Sequence, residues 1–404
     1  MDNERIKKLC EEIFPTAVQI RRAIHSNPEL GRREKDTTGL IISYLNEWGV
    51  VFSTPLETGV VACVKGKNEG PVVALRADID ALPMTEQVES EFKSRNEGVM
   101  HACGHDFHTA ALLCATKVIN DCKDELCGEV RFIFQPDEEG DGGAERLCEK
   151  GVMNGVDEVY GIHVTPEFSA GTVGVKYGKS YAASDIIEID VIGKGGHGAQ
   201  PHKNVDAIVV AAHIITALQS IVSRNVDPID SAVLTIGTVR GGIFRNTVAE
   251  RCEMTGVLRS LGSEMRQFLK KKVTLTAEGI AESLGAKAQV RIIESYPGVV
   301  NDEEKTDYVK RCAEEILGRE NVKVLPVPGM VTEDFGYYLQ RVPGCFYHVG
   351  CDSEHVLHSD RFCPDERALK TMIMMHIKTV FSDGNRKNDK NYDFLLQVGD
   401  SQFM

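Results

Sequence analysis

The chain has 404 residues, more than one compact core usually holds, so two structural units are expected. Its composition, 42% hydrophobic and 26% charged, is that of a globular protein. The 60 acidic and 46 basic residues give a net charge of -14, which argues against nucleic acid or an anionic membrane as the main partner and favours a small molecule or a peptide.

The sequence carries no pattern that directs export. The first residues, MDNERIKKLCEEIF, are charged throughout and lack the apolar core of a signal peptide. The longest uncharged apolar run, residues 207–222, is shorter than the ~20 residues that span a bilayer, and we interpret it as a buried helix. The twelve cysteines are spread along the chain without a CxxC pair, which favours reduced thiols. We therefore expect a cytoplasmic protein.

The first part of the chain predicts alternating helices and strands. Ile6, Leu9, Cys10 and Ile13 have helical spacing, and Pro15 is expected to interrupt or kink their helix. Short apolar runs predict strands, and a longer one predicts a helix before the last strand. Such alternation is typical of an α/β unit with a largely parallel, buried sheet. The predicted strands are residues 60–64, 71–77 and 129–136, and the helix is 109–119.

The pattern changes near Tyr181. A half-buried strand is followed by the Gly-rich segment GKGGHGAQPH, the apolar helix, two strands, a second helix and a last strand. This order predicts a small α+β sandwich. Its predicted elements are strands 185–192, 232–239, 247–258 and 290–293, with a helix at 263–284.

The earlier pattern resumes after YPGVV, with predicted helices at 303–317 and 365–381. The middle unit is therefore predicted to be an insertion. We expect a discontinuous catalytic domain at 1–183 and 295–404, and an inserted domain at 184–294. The polar tail from Ser382 is expected to be exposed.

The segment MHACGHDFHTA, from Met100 to Ala110, is the first candidate for chemistry. Two residues apart, Cys103 and His105 face one side of an extended chain but diverge on a helix. They are therefore predicted to precede the helix, on a loop or strand end, where both could meet one ion. The pair alone is weak evidence, because buried cysteines usually only fill space.

Other metal-binding or proton-accepting side chains follow predicted strands or apolar runs, so each can lie at one edge of the sheet. Cys and His mixed with carboxylates suit Zn, Mn, Co or Ni better than Mg or Ca. Five or more ligands exceed what one tetrahedral zinc requires, and two ions sharing a bridging ligand would use them. These candidates are Asp78, Asp80, Asp137, Glu138, Glu139, His163 and His358.

Neighbouring Glu138 and Glu139 point in opposite directions on an extended chain, so one can bind metal while the other faces a substrate. The alternative for this acidic run is a solvated turn. In the middle unit, His197 and His202 stand in the Gly-rich segment, whose glycines alone are sufficient for a turn.

The motifs RADIDALPMTE, MHACGHDFHTAALL, FIFQPDEEG, GIHV, GKGGHGAQPH, GGIFRNTVAE, TEDFGYY and VLHSDRF occur in this order. Together they resemble the metallopeptidase family of aminoacylases, hippurate hydrolases, auxin-conjugate amidohydrolases and N-acetyldiaminopimelate deacetylases. The resemblance extends from about Arg22 to Phe381. It implies a catalytic α/β domain of phosphorylase/hydrolase-like type with an inserted α+β sandwich lid, through which the protein forms a homodimer.

The resemblance also implies roles for individual residues. Glu138 matches the general base, and Asp80 matches an aspartate that orients a metal ligand. His197 matches a lid histidine that reaches the neighbouring subunit's active site and stabilises the oxyanion. Two divalent ions are implied, of unknown identity among Zn, Mn, Co and Ni, with ligands at Cys103, His105, Glu139, His163 and His358.

Two further lid residues are candidates for the substrate carboxylate. Asn246 or Arg259 could bind it, and a structural role is the alternative for both. The sequence departs from the family pattern at Asp137, where alanine is common, and in LHSDRF, where LHHPRF is commoner. The extra carboxylate of Asp137 either raises the pKa of Glu138 by repulsion or points away from it.

The implied reaction is hydrolysis of the amide bond of an N-acyl amino acid, N-acetyl or N-aroyl, by water that Glu138 activates. Three alternatives stay open. The first is a dipeptidase, an aminopeptidase or an N-acetyldiaminopimelate deacetylase with the same chemistry. The second is a non-catalytic binding protein, against which the filled ligand positions argue. The third is a redox protein built on Cys103, whose nearest possible resolving cysteine, Cys114, lies in a predicted helix.

Overall fold

A computed structural model describes residues 1–381, so the tail from Ser382 lies outside the described residues. The helices are α1 Asn3–Ser26, α2 Lys35–Glu47, α3 His105–Asp121, α4 Gly143–Glu149, α5 Ala207–Asn225, α6 Ser263–Ser283, α7 Glu303–Leu317, α8 Gly336–Leu339 and α9 Ala368–Phe381. The first eight strands are β1 Val51–Ser53, β2 Val60–Lys65, β3 Asn68–Asp78, β4 Cys127–Gln135, β5 Glu158–Thr165, β6 Val173–Val175, β7 Gly178–Tyr181 and β8 Ala183–Ile192. The others are β9 Gly196–His197, β10 Ala232–Gly241, β11 Thr247–Val248, β12 Arg251–Ser260, β13 Lys287–Glu294, β14 Val299–Asn301, β15 Val322–Val324 and β16 Gly344–Gly350.

The main sheet is mixed, with the strand order β1-β2-β4-β3-β5-β16-β6-β15. Its centre is parallel, since β4, β3, β5 and β16 pair in the same direction. The prediction of a largely parallel sheet is right for this centre and wrong at the edges. There β2 runs antiparallel to β1 and β4, and β6 runs antiparallel to β16. The connection from β1 to β2 is too short for the crossover that a parallel pair requires.

Helices cover both faces of the main sheet. Val73 and Leu75 of β3 point into a core shared with α1, α3 and α9, whereas Ala74 between them faces a second cluster with α4 and α8. This alternation is the period of two expected of a strand. Both faces are apolar because both are covered, which is why these strands appear in the sequence as continuous apolar runs.

Helix α1 continues through Pro15, so the predicted interruption is wrong. Asp2 caps its start by accepting a hydrogen bond from the backbone N–H of Arg5 at 2.8 Å. An interior proline costs about 3 kcal/mol, but here the helix buries Ile6, Ile20 and other side chains against α3 and α9 on both sides of Pro15. That packing outweighs one lost backbone hydrogen bond.

A second, antiparallel sheet has the order β10-β12-β8-β13, and α5 and α6 pack on it. Its side chains form a hydrophobic cluster of their own, from Ile187 to Ala288. The predicted strand 247–258 is divided into β11 and β12. The division into domains at 184–294 stays a prediction, with which this separate cluster agrees.

Helix α5 is amphipathic, so the interpretation of this run as a buried helix holds for one face of it. Val210, Ile214 and Leu218 face the second sheet, while Ile208 and Val209 are about half exposed. By length and composition alone α5 could cross a membrane, and 33% of its apolar window is buried. The buried stripe at helical spacing is typical of a helix that packs on a sheet.

Candidate metal centre

The first two candidate ligands lie at the start of α3. His105 is the first residue of this helix, so the prediction of an extended segment is right only up to Cys103. Gly104 between them has φ of 89°, and a Cβ there would lie 2.3 Å from Cγ2 of Val164. Glycine therefore permits the sharp turn that aims both side chains at one point.

The structure brings all five predicted ligands together at one end of the main sheet. The sulfur of Cys103 lies 3.4 Å from Nε2 of His163 and 3.3 Å from Nε2 of His358. Oε1 of Glu139 lies 3.1 Å from Nε2 of His358 and 4.0 Å from Nε2 of His105. We call these five residues the ligand cluster. Glu138 borders it, with a carboxylate oxygen within 4.8 Å of ligand atoms of His105 and Glu139.

The ligand cluster contains two sets of three residues, and Cys103 belongs to both. One set joins Cys103 to His105 and His163, and the other joins it to Glu139 and His358, with all ligand atoms of a set within 4.8 Å of one another. A thiolate with imidazole and carboxylate ligands suits Zn, Mn, Co or Ni. The geometry thus fits two ions that share the sulfur.

The histidine rings are oriented by hydrogen bonds on their outer nitrogens. Nδ1 of His163 donates to the carbonyl of Val164 at 2.7 Å, and Nδ1 of His105 donates to the carbonyl of Asp80 at 3.0 Å. Nε2 of each ring is therefore left with its lone pair facing the ligand cluster. Nε2 of His105 is buried and has no hydrogen-bond partner among residues 1–381. Burying a polar atom without a partner costs free energy, and a bound cation would remove that cost.

His108 supports the ligand cluster without a nitrogen to spare for metal. Its Nδ1 donates to Asp78 at 2.5 Å, and its Nε2 accepts the backbone N–H of Val164 at 3.0 Å. This neutral bridge ties the end of β3 to the strand that carries His163. The second oxygen of Asp78 lies 3.6 Å from Nε2 of His105.

Asp137 points away from Glu138, which decides between the two alternatives left open by the sequence. Its carboxylate accepts hydrogen bonds from Arg32 at 2.9 Å and Arg146 at 2.7 Å. Asp137 has φ of 61°, an uncommon conformation for a residue other than glycine. The two arginines hold its side chain there and neutralise its charge.

Backbone contacts fix the turn that presents Glu138 and Glu139. The hydroxyl of Tyr296 donates to the carbonyl of Glu138 at 2.5 Å. Asp80 accepts the backbone N–H of Glu139 at 2.9 Å, and Glu34 accepts that of Asp137 at 2.8 Å. Asp80 therefore contacts both His105 and the turn, which agrees with an orienting function.

The sequence analysis missed a buried charge network around Arg76. Its guanidinium donates to Asp78 at 2.6 Å, Glu333 at 3.0 Å and Asp334 at 2.9 Å. Glu333 and Asp334 belong to the TEDFGYY motif, which had been noticed but given no role. Burial raises the pKa of Glu333 to about 8 and that of Asp334 to about 6. The positive charge of Arg76 lowers both pKa values, but it does not outweigh the burial.

The two adjacent glutamates have opposite electrostatic environments. Burial and the carboxylate of Glu333 raise the pKa of Glu138 well above its usual range. Burial acts in the same direction on Glu139, but His358 and His105 outweigh it and lower its pKa. A neighbouring pair with pKa values driven apart is typical of one proton-transfer group beside one permanent anion.

The candidates from the middle unit lie elsewhere. His197 is exposed on β9 and pairs with Thr247 of β11, directly after the exposed Asn246. Arg259 lies on β12 between Val233 and Ser184. Within the described residues, no hydrogen bond or ion pair joins them, or the exposed His202, to the ligand cluster.

Comparison with known proteins gives consistent matches. A model of peptidase family M20/M25/M40 matches residues 74–381. The chain is 42% identical to an N-acetyl-L-cysteine deacetylase of Bacillus subtilis (strain 168), over 87% of this chain and 84% of that protein. It is 38% identical to Thermostable carboxypeptidase 2 of Saccharolobus solfataricus, over 95% of this chain and 99% of that protein. A crystal structure of a dinuclear metal-binding peptidase of family M20 from Bacillus subtilis is similar, with a TM-score of 0.82 and 35% identity, over 92% of this chain and 98% of that chain.

The shared position of Cys103 predicts the effect of removing its sulfur. Cys103→Ala should lower the metal content towards zero and weaken affinity by roughly tenfold or more, because both sets lose a ligand. Inductively coupled plasma mass spectrometry after Mn²⁺ or Zn²⁺ loading measures the metal content. Cys114→Ala is the matched control, since Cys114 is also buried, on α3 and outside the ligand cluster. Equal metal content in the two variants would contradict the assignment.

Proposed function

The chain belongs to peptidase family M20/M25/M40, and we propose that it hydrolyses the amide bond of N-acyl amino acids at a site for two divalent metal ions. Membership of this family makes it a metal-dependent amide hydrolase that acts on small substrates. The convergence of Cys103, His105, Glu139, His163 and His358 beside Glu138 is the observation that carries the proposal.

The residues present fit two ions. Cys103, His105 and His163 would hold one ion, and Glu139 and His358 with Cys103 would hold the other. When bound, such ions polarise the scissile carbonyl and make a water molecule acidic enough to lose its proton near neutral pH.

Glu138 is the proposed general base. It takes a proton from the attacking water and later delivers it to the leaving amine, and its carboxylate lies within 4.8 Å of the ligand atoms of His105 and Glu139. Asp80 is a positioning residue, because it holds the ring of His105 and the backbone of Glu139 through the hydrogen bonds described above. Tyr296 fixes the peptide that carries Glu138.

Groups of the inserted segment complete the proposed site. The resemblance assigns oxyanion stabilisation to His197 of a second copy, and the exposure of His197 on β9 leaves it available to one. Arg259 is a candidate for the substrate carboxylate. Its Nη1 is buried without a hydrogen-bond partner within residues 1–381, and burial lowers its pKa, so a bound anion would stabilise it. Asn246 lies beside His197 and remains the second candidate.

The substrate class is supported by the relatives' names only in part. A deacetylase of N-acetyl-L-cysteine acts on an N-acyl amino acid, whereas the similarity to Thermostable carboxypeptidase 2 favours a peptidase as the second candidate. Both reactions attack a linear amide next to a carboxylate-bearing half. Assays of N-acyl amino acids against dipeptides distinguish them.

Replacement of Glu138 tests the mechanism. Glu138→Gln should keep two ions per chain and lower kcat about 10²–10⁴-fold, because the amide cannot accept the proton of water. Steady-state kinetics on an N-acyl amino acid, with metal content measured on the same samples, gives both values. Glu145→Gln, at an exposed position of α4, is the control and should retain wild-type kcat. A near-normal kcat in Glu138→Gln would refute the role of general base.

We further propose a homodimer through the second sheet. Strand β10 is an edge of that sheet, with unpaired backbone groups, and it lies next to α5. Ile208 and Val209 of α5 and the nearby Ile243 and Phe244 expose apolar side chains, with 99% exposure for Ile243. A second copy can cover these groups with the same surface, as an isologous interface requires.

A charge placed on this surface tests the dimer. Val209→Glu should shift the protein from dimer to monomer in sedimentation velocity, because the buried carboxylate would have no partner. Leu275→Glu changes a similarly exposed apolar residue of α6 and should leave the dimer intact. A wild-type protein that sediments as a monomer would contradict the proposal.

We propose the cytoplasm as the compartment. All twelve cysteines, Cys103 among them, are free thiols in the structure, and a shared thiolate ligand needs a reducing environment.

A further inference from the structure

A cavity of about 520 Å³ opens beside the ligand cluster, and His163 forms part of its wall. The rest of the wall comes from several segments of the chain. They are residues 164–168 at and beyond the end of β5, Lys176, Ser180, Tyr181, residues 325–329, Val331, His348 on β16, Val356 and Leu357. His163 and His348 are register partners on neighbouring parallel strands, so both side chains point to this side of the sheet. A group attached to the reacting carbonyl can extend directly into the cavity.

The walls and rim of this cavity are apolar. Val164, Phe168 and Leu325 line it, and three valines stand at its opening. Val327 is 71% exposed, Val331 60% and Val356 70%. Single exposed valines are common, but three around one opening beside a reactive site indicate an apolar ligand.

Tyr181, His348 and Lys176 of the cavity wall make hydrogen bonds within the protein, while Nδ1 of His348 is buried without a hydrogen-bond partner among residues 1–381. The hydroxyl of Tyr181 donates to Nε2 of His348 at 2.6 Å. The ammonium of Lys176 donates to the carbonyl of Tyr177 at 2.8 Å. Burial lowers the pKa of His348 to about 4, so its ring is neutral near pH 7.

The cavity has no net charge. Lys176 and the exposed Glu167 are the charged residues of its wall, and their charges are opposite. A carboxylate would gain little there and would lose hydration. The half of the substrate that carries the carboxylate is therefore disfavoured in the cavity, and the uncharged acyl half is favoured.

We propose that this cavity binds the acyl group of the substrate and selects bulky apolar acyl groups, medium-chain alkanoyl or aroyl, over acetyl. The inference rests on the proposed amide hydrolysis. The volume is that of sites for drug-sized ligands, and an acetyl methyl would leave most of it empty. Each further buried methylene should raise kcat/KM about fourfold until the cavity is filled.

Two substrate series test the inference. With alanine as the constant amine half, kcat/KM of the metal-loaded enzyme should rise at least about tenfold from N-acetyl to N-octanoyl or N-benzoyl. With acetyl constant and the amino acid varied from alanine to phenylalanine, the change should be smaller. A flat or falling acyl series would overturn the inference. A steep amino-acid series with a flat acyl series would assign the cavity to the other half of the substrate.

A filled cavity provides the second test. Val327→Trp should reduce the ratio of kcat/KM for N-octanoyl-alanine over N-acetyl-alanine roughly tenfold, because the indole takes the place of the acyl chain. Val324→Trp is the matched control. Val324 is 51% exposed on β15 outside the cavity wall, and this variant should keep the wild-type ratio. An unchanged ratio in Val327→Trp would overturn the inference.

Failure of the inference can be told apart from failure of the proposed function. If no N-acyl amino acid is hydrolysed, amide hydrolysis of this class is wrong, and octanoate binding still tests the cavity. Isothermal titration of the metal-loaded protein should show that octanoate binds and that Val327→Trp weakens it, whereas acetate should bind more weakly to both. If N-acetyl-alanine is hydrolysed but octanoate shows no advantage over acetate, the proposed function stands and the cavity assignment falls.

Discussion

Buried negative charge at one end of the main sheet is the constraint on which the rest of the structure depends. Removing an ion from water costs several kcal/mol unless a partner of opposite charge accompanies it. Arg76 accompanies Asp78, Glu333 and Asp334 but cannot neutralise all three. Further carboxylates lie near the histidines of the ligand cluster, away from Arg76. The carboxylates concerned are Asp78, Asp80, Glu139 and Asp334, whereas burial raises the pKa of Glu138 and Glu333 and so disfavours their charged forms.

Divalent cations offer the missing charge, and the fold prepares their places before they bind. The outer nitrogens of His105 and His163 are tied to carbonyls, and the turn at Glu138 is held by Tyr296, Asp80 and Glu34. Such supports fix ligand direction at little entropic cost. Tyr181 lies just before β8 and Tyr296 just after β13, and their hydroxyls donate to His348 and to the carbonyl of Glu138, so the chain enters and leaves the second sheet beside the ligand cluster.

The local part of this architecture could be predicted from the sequence. Apolar runs identified β3 and β4 of the central strands but not β5 and β16. The polar residues near the predicted strands were candidates for metal chemistry, and the resemblance of the motifs implied which five of the chain's residues are ligands. The start of α3 was misplaced, because the left-handed conformation of Gly104 leaves no periodic signal. Pro15 was expected to interrupt or kink α1, and the helix continues through it because tertiary packing maintains it.

The hydrogen-bond network around Arg76 could not be predicted from local sequence patterns. Its partner Glu333 is 257 residues away in the chain, and only the assembled sheet brings the two together. In the sequence, Arg76 is a single charged residue within an apolar run, and this pattern does not indicate its partners. The direction of Asp137 was equally undecided, because it depends on Arg32 and Arg146 from two other segments.

Anomalous diffraction from crystals of the protein loaded with Mn²⁺ is the most direct test of the central claim. Two manganese peaks are expected on either side of the sulfur of Cys103, one beside His105 and His163 and the other beside Glu139 and His358. A single peak, or peaks away from Cys103, would contradict the shared-ligand dinuclear centre.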